Sequence, residues 1–487
     1  MENKKTLGSL ILILFFLVTS VISCFQILLD TSRPSYYNLL WALPATFFII
    51  TITFLFKWHS LYFTSITGFL VVGIYYIRFV VTPFIMSIGE YSSVIGEASF
   101  ASNASLAIFL MVYEGLTIFL LMTAFIQKSN RIRSEMTDVG GGELLSWTNR
   151  PSNALWLIIG LMMLFIIYLI RSDPTIWKAN FLLLIDVNHT YHAFSSAATG
   201  IGTLSMYVEI MNSMFKLIQV ILPPMILYFI AKRNKLQNLK YVIAFALFLL
   251  VVVVATEDRI DAIFAGIALL FTVRDAFGVK FKSRFSLWLI LIGIAALFGL
   301  AIKSGVTSTT GNNSGMRGAS IMLCAYFSGV PTVAAGIGMA DSLPGLNILH
   351  LFPDLVSKIP YFTYVLNMIT GVKVVNSNQL FNNYISNTLG RGYAQILPST
   401  AVGYEYVGFL FAPIIVGLFI KLALYFERNI RAQNDIVRRN LYYWITICVA
   451  SSPVISSILL ITAKLAWFYI ALIIMAVLHK RREQKSR

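Results

Sequence analysis

Charge is scarce in this chain. Only 12% of its 487 residues are Asp, Glu, Lys or Arg, while 58% are hydrophobic and the mean hydropathy is +0.78. A water-soluble core of this size would need far more polar surface to cover it. Cysteine is scarcer still: Cys24, Cys324 and Cys448 are odd in number and share no local spacing, which gives neither a disulfide framework nor a metal site. No Gly-Lys-Ser/Thr of a Walker A loop occurs, so an ATP motor of that kind is excluded. Neither an internal repeat nor a low-complexity stretch is present. Acidic residues number 21 against 37 basic ones, and the first stretch expected outside the membrane offers Asp30 alone. Without an Asp-x-Asp or adjacent acidic pair there, a metal-dependent transferase that glycosylates protein from a lipid donor loses support.

What is present is a series of long apolar runs. Runs of roughly 17 to 25 residues match a ~30 Å hydrocarbon layer at ~1.5 Å per residue. The candidates are 8–29, 37–56, 60–82, 104–126, 153–170, 207–230, 241–256, 262–273, 285–302, 402–424, 441–461 and 463–479. These predict an all-α polytopic membrane protein of about twelve transmembrane helices. The first run, preceded by Lys4 and Lys5, is too long for a signal-peptide core and lacks a small-x-small cleavage site, so it reads as a retained span. A net charge of +16 would point to nucleic acid in a soluble protein. Here the basic residues sit in short runs between apolar segments, from Lys128, Arg131 and Arg133 through Arg428, Arg431, Arg438 and Arg439 to the tail ending at Arg487. Cytoplasmic loops carry such an excess, so both termini are expected inside and nucleic acid is discarded as a partner.

The alternation leaves one long outer segment, 303–401. Loops of that length carry a function or a small domain. The chain therefore divides into a membrane bundle of about nine helices (1–302), the extracytoplasmic loop (303–401), and three last helices with a basic tail (402–487). Within the loop, 319–340 is apolar enough to dip into the bilayer, or to span it, and 345–370 can form amphipathic helices lying on its surface.

Several positions attract a functional reading, most with a plain structural alternative. Glu257-Asp258-Arg259-Ile260-Asp261 stands outside, ahead of a short apolar run; it sits at head-group level, where Arg259 suits the pyrophosphate of a lipid-linked substrate, or it is a solvated turn of mutually paired charges. Gly315-Met316-Arg317-Gly318 and Leu389-Gly390-Arg391-Gly392 place arginine beside glycine, which lets backbone amides approach an oxyanion; the alternative is a pair of flexible loop arginines. Glu405, between Tyr404 and Tyr406 at the mouth of a span, is a candidate general base toward a sugar hydroxyl, or an end residue between interfacial tyrosines. His350, with Asp354 four residues on, and Asp258 are alternative bases. Arg78 and Glu114 lie inside spans, where charges are costly and functional by default, or pair with one another. His189 and His192 lack a third ligand at zinc spacing, and no metal or other cofactor is expected, although Glu257, Asp258 and Asp261 keep a cation formally open.

The stretch Asn378–Phe419 carries a resemblance. Gly390-Arg391-Gly392, then Leu397-Pro398-Ser399 and Gly403-Tyr404-Glu405-Tyr406-Val407-Gly408-Phe409, together with the span count, the inside termini and the large outer loop, resemble the O-antigen and capsule polysaccharide polymerases called Wzy. Arg259 matches a family arginine by position, while the family's Arg-x10-Gly is here Arg-x11-Gly at Arg317 and Arg391. The resemblance implies a GT-C-like fold in the bacterial plasma (inner) membrane, with the site on the extracytoplasmic face. It implies metal-independent, inverting transfer of a glycan from undecaprenyl pyrophosphate onto another undecaprenyl-pyrophosphate-linked oligosaccharide. On that reading Arg259, Arg317 and Arg391 hold pyrophosphates, Arg78 assists, Glu405 is the base, and the partners include a chain-length regulator and a flippase of the same pathway. The alternatives are the flippase of the same lipid-linked unit, which would carry internal repeats and a basic central cavity, and an O-antigen ligase.

Overall fold

A computed structural model of the chain describes residues 2–93, 95–136, 153–172, 203–231, 246–247, 259–277, 315–343, 347–356, 369, 375–389, 395–430, 432–433, 435–455 and 458–486. The described secondary structure is helical, without a strand. The helices used below are α1 (Glu2–Leu29), α2 (Ser35–Thr64), α3 (Ile66–Ile88), α4 (Ala104–Met136), α5 (Asn153–Ser172), α6 (Thr203–Ala231), α7 (Arg259–Phe277), α8 (Met316–Tyr326), α9 (Val330–Ser342), α10 (Leu351–Val356), α11 (Ser377–Leu389), α12 (Ser399–Ile430), α13 (Ile436–Ala450) and α14 (Ile458–Ser486). Among the described residues five stretches are long and apolar enough to cross a membrane: Gly8–Leu29, Ser35–Thr64, Ile66–Ile88, Ala101–Gln127 and Ser399–Ile430. The pair α8–α9, bent by 45°, is a sixth candidate, as a broken span or a re-entrant loop. Expected spans 241–256 and 285–302 lie almost wholly outside the described residues.

The exposed faces of these helices are apolar stripes. On α1, Ile11, Leu14, Val18, Ile22, Phe25 and Leu29 are all exposed, and on α5 so are Leu157, Leu161, Leu164 and Tyr168. Spacings of three and four put each set on one side of its helix. Water would penalise such stripes and lipid would not, so this is a membrane protein by its surface as well as by its hydropathy.

The chain forms two compact units. The first gathers 1–139, 311–427 and 448–466, so the expected outer loop is folded in with the first four helices. Helix α9 is the reason. Every residue from Val330 to Ala340 is buried, as in a helix enclosed by protein on all sides. Its small residues allow that: a β-carbon on Gly336 would lie 2.5 Å from Ala401 Cβ, and one on Gly338 2.6 Å from the Tyr384 hydroxyl. Close helix approach at Gly and Ala is how apolar helices gain contact without a hydrophobic drive between them.

The two ends of α3 meet different segments. At its start, Glu427 of α12 accepts hydrogen bonds from Ser65 Oγ (2.8 Å) and from the backbone N–H groups of Ile66 (2.8 Å) and Thr67 (3.0 Å). A carboxylate there satisfies orphan donors and suits the helix dipole, which fixes the break between α2 and α3 at Ser65 and not at 57–59 as the hydropathy indicated. Lys57, Trp58 and His59 stay within α2, which is kinked at Trp58. Past the end of α3, Tyr91 donates to Asp30 (2.6 Å), Glu90 pairs with Arg317, and Ser320 Oγ donates to the Ser92 carbonyl (2.8 Å). The segments expected outside thus meet at one end of α3, and two segments expected inside meet at the other.

Helix α12 is not one straight rod. Gly408 has φ 73°, a left-handed value that glycine alone adopts freely, and a β-carbon on Gly403 would lie 2.4 Å from the Ala412 carbonyl oxygen. Nine residues of straight helix cover about 13.5 Å, so the chain turns back on itself at Gly408. Residues 399–407 form a short inward helix, and 409–430 form the span.

The second unit gathers 140–310, 428–447 and 467–487. Pro224 in α6 has no N–H for the Val220 carbonyl four residues earlier; Asn440 Nδ2 of α13 donates to it instead, at 2.8 Å. Asp275, in the last turn of α7, accepts from Tyr443 (2.6 Å) and Arg439 (3.2 Å) of α13.

Candidate active site

Two of the polar groups on the short helix 399–407 organise the site; they are five residues apart and hence about 7.5 Å along its axis and on different faces. The first is Thr400. Arg78 Nη2 donates to its hydroxyl at 2.8 Å, Arg78 Nη1 to Glu114 Oε1 at 2.7 Å, and Arg78 Nε to the Ser328 carbonyl at 3.1 Å. Tyr75 donates to the same Glu114 oxygen at 2.9 Å. Ser328 lies at the break between α8 and α9 with φ 50°, where the chain direction changes and a carbonyl is left for a side chain to satisfy. Arg78 and Glu114 are both 0% exposed. The structural pairing weighed for them from the sequence is therefore the arrangement seen. Each of the three guanidinium nitrogens has a protein partner and none reaches a surface, so Arg78 braces α3, α4, the α8–α9 break and the short helix.

The second group is Glu405, whose side chain is 0% exposed. His350 Nδ1 lies 2.9 Å from Glu405 Oε1, and Ser377 Oγ donates to that oxygen at 2.9 Å. Glu405 Oε2 is buried without a hydrogen-bond partner. Ser377 ties in a second carboxylate: its backbone N–H donates to Asp354 Oδ1 at 2.8 Å, and Tyr406 donates to Asp354 Oδ2. Burial holds the Asp354 carboxyl above its ordinary pKa, although the hydrogen bonds from Tyr406 and Ser377 oppose this.

Local sequence explains the assembly. Asn376 and Gln379 cap the start of α11 reciprocally, Gln379 N–H to Asn376 Oδ1 at 2.9 Å and Asn376 N–H to Gln379 Oε1 at 3.2 Å, the capping-box arrangement. That fixes Ser377 at the first turn. Asn378 and Asn382, one turn apart on α11, then hold the extended chain ahead of the short helix: Leu397 N–H donates to Asn378 Oδ1 at 2.9 Å, and Gln395 N–H to Asn382 Oδ1 at 2.7 Å.

With Glu405 ionised, its oxygen accepts and Nδ1 of His350 carries the hydrogen, which leaves Nε2 with its lone pair. A buried carboxylate that orients an imidazole whose other nitrogen is free is the logic of a general base. His350 is the accessible member, 29% exposed. Its Glu405 partner was singled out from the sequence as the base, and His350 and Asp354 were named as a loop pair four residues apart. Ser377 and Thr400 were not; the Asn376-x-x-Gln379 spacing was the available signal for the former.

Of the arginines, Arg317 opens α8 and is half-exposed beside Glu90. Arg259 opens α7, a helix of 19 residues that is longer than the apolar run 262–273 from which it was inferred. The position of its side chain, and Arg391, Glu257 and Asp258 altogether, lie outside the described residues, as do His189 and His192. Among the described residues no three His, Cys, Asp or Glu side chains are grouped to hold a metal ion. No family model, curated protein or solved structure matches this chain.

Proposed function

We propose that this membrane protein is a glycosyltransferase that polymerises undecaprenyl-pyrophosphate-linked oligosaccharide units into a surface polysaccharide in the bacterial plasma membrane, on its outer face. The observation that carries the reading is the Glu405–His350 pair, with a buried carboxylate behind a partly exposed imidazole in a polytopic membrane protein. In this reading His350 Nε2 takes the proton of an acceptor sugar hydroxyl while Glu405 holds the ring and stabilises the imidazolium that forms. The hydroxyl oxygen attacks the anomeric carbon from the face opposite the leaving group. The bond from that carbon to the phosphate oxygen breaks, and undecaprenyl pyrophosphate departs with the electron pair. Arginine can neutralise that leaving group in place of a metal; Arg317, with Arg259 and Arg391, is assigned that part.

The test is deletion of the gene in its host, followed by extraction of lipid-linked saccharides. Single repeats accumulating at the outer face without long polymer support the reading. Repeats held at the cytoplasmic face would make the protein a flippase and remove the catalytic roles. Complementation with Arg317→Ala then checks the anion assignment: polymer is expected to fall although the exposed ion pair with Glu90 contributes little to folding.

A further inference from the structure

The segment that brings His350 and Asp354 to the site is amphipathic the wrong way round for water. Over 348–356 its buried residue is Asp354, while its exposed residues are Ile348 at 45%, Leu349 at 76%, Phe352 at 61% and Leu355 at 39%. Positions 348, 352 and 355 follow helical spacing, so the apolar side chains share one face and the acid lies on the other. The polar side is occupied: Asp354 by Ser377 and Tyr406, His350 by Glu405. Val375, which precedes the Asn376–Ser377 cap that receives Asp354, is exposed as well. Glu405, which His350 touches, stands shortly before the start of the α12 span, where Phe409, Leu410 and Phe411 are likewise exposed.

We infer that bilayer hydrocarbon covers Ile348, Leu349, Phe352 and Leu355, and that this seating holds His350 against Glu405. The occupant is lipid chains, because the exposed side chains described over 348–356 are all apolar and the segment is joined through His350 to Glu405, a few residues ahead of the exposed Phe409, Leu410 and Phe411 in an apolar candidate span. A consequence is that the site lies at the edge of the bilayer and meets its substrate from the lipid side. The inference rests on the membrane assignment and on the Glu405–His350 contact, and needs no turnover to be tested.

The experiment places a nitroxide at Leu349→Cys or Phe352→Cys in a chain whose three native cysteines are replaced, reconstituted in phospholipid bilayers, with Asp341→Cys as a water-exposed reference. Labels at 349 and 352 are expected to collide severalfold more with oxygen than with a water-soluble nickel chelate, and the label at 341 to show the reverse. Preference for the chelate at 349 and 352 would overturn the inference. To guard against a misfolded cysteine-free chain, benzoylphenylalanine is placed at 352 in the chain with native cysteines and photolysed in the same bilayers. Adducts to phospholipid chains are expected; adducts confined to a second copy or to another protein would equally overturn it. If the labels report lipid while deletion of the gene leaves polymer intact, the glycan reading fails and this one stands.

Discussion

Arg78 allows the sharpest energetic test, because clamp and phosphate ligand predict different outcomes. Arg78→Met leaves the Glu114 carboxylate at 0% exposure with the Tyr75 hydroxyl as its remaining described partner. Removing one member of a buried ion pair costs about 3–5 kcal/mol. The Ser328 carbonyl also loses the Nε donor, and an unsatisfied buried group adds about 1–3 kcal/mol. The single variant should therefore unfold more easily by about 4–8 kcal/mol. In Arg78→Met/Glu114→Met the stranded charge is gone and chiefly the carbonyl term remains, so the double variant should be more stable than the single one, with a coupling of about 3 kcal/mol. The assay is unfolding of purified protein in mixed micelles by increasing SDS, followed by tryptophan fluorescence, for wild type, both single variants and the double. If Arg78→Met shifts the midpoint by less than about 1 kcal/mol, or if the double variant is the sum of the singles, the clamp is wrong. Loss of polymer with unchanged stability would restore Arg78 to the pyrophosphate.

Other outcomes follow from the same geometry. His350→Ala and Glu405→Gln should each lower polymerisation by about 10²–10⁴-fold while leaving expression intact, measured as polymer formed from purified lipid-linked repeats; full activity of His350→Ala would end its role as base. Gly408→Ala forces a left-handed residue at the α12 reversal and should cost about 1–2 kcal/mol in the SDS assay, whereas Gly8→Ala, inside α1 with nothing within 4 Å of the added carbon, should cost nothing and stabilise by up to about 1 kcal/mol. Asn440→Leu strips the donor from the Val220 carbonyl beside Pro224 and should cost about 1–3 kcal/mol. Because burial raises the folded-state pKa of Asp354, this group favours folding more as pH falls through that pKa and disfavours it once ionised above; Asp354→Asn should flatten that part of the stability–pH curve.

The helical class, the first apolar spans and the Arg78–Glu114 pair were legible because each is written in nearby residues: run length for the spans, and two charges at membrane depth for the pair. Glu405, His350 and Asp354 were legible as chemistry but not as one site. Fifty-five residues separate His350 from Glu405, and no local pattern reports such a distance. The Gly408 reversal was hidden because hydropathy is continuous across it, so 402–424 looked like one straight span. Helix α9 was legible as a segment able to enter the bilayer, and the bent α8–α9 pair is a candidate broken span or re-entrant loop; its enclosure by protein was not legible, since a helix of Gly, Ala and Val enclosed by protein has the same composition as one enclosed by lipid. Ser65 as the α2–α3 break depends on Glu427, more than three hundred residues away.

The bracing of Arg78 also has a schedule during synthesis. Glu114 is 36 residues downstream and arrives within roughly 2–7 s at roughly 5–20 residues per second, whereas Thr400, 322 residues downstream, takes roughly 16–64 s. The carboxylate can thus neutralise the guanidinium as the first helices enter the bilayer, while Ser328, 250 residues downstream, arrives much later and Thr400 closes the clamp last. A ribosome-stalled chain ending before Thr400 would hold a charge-neutral but incompletely bonded bundle, an intermediate open to membrane quality control until the last helices are made.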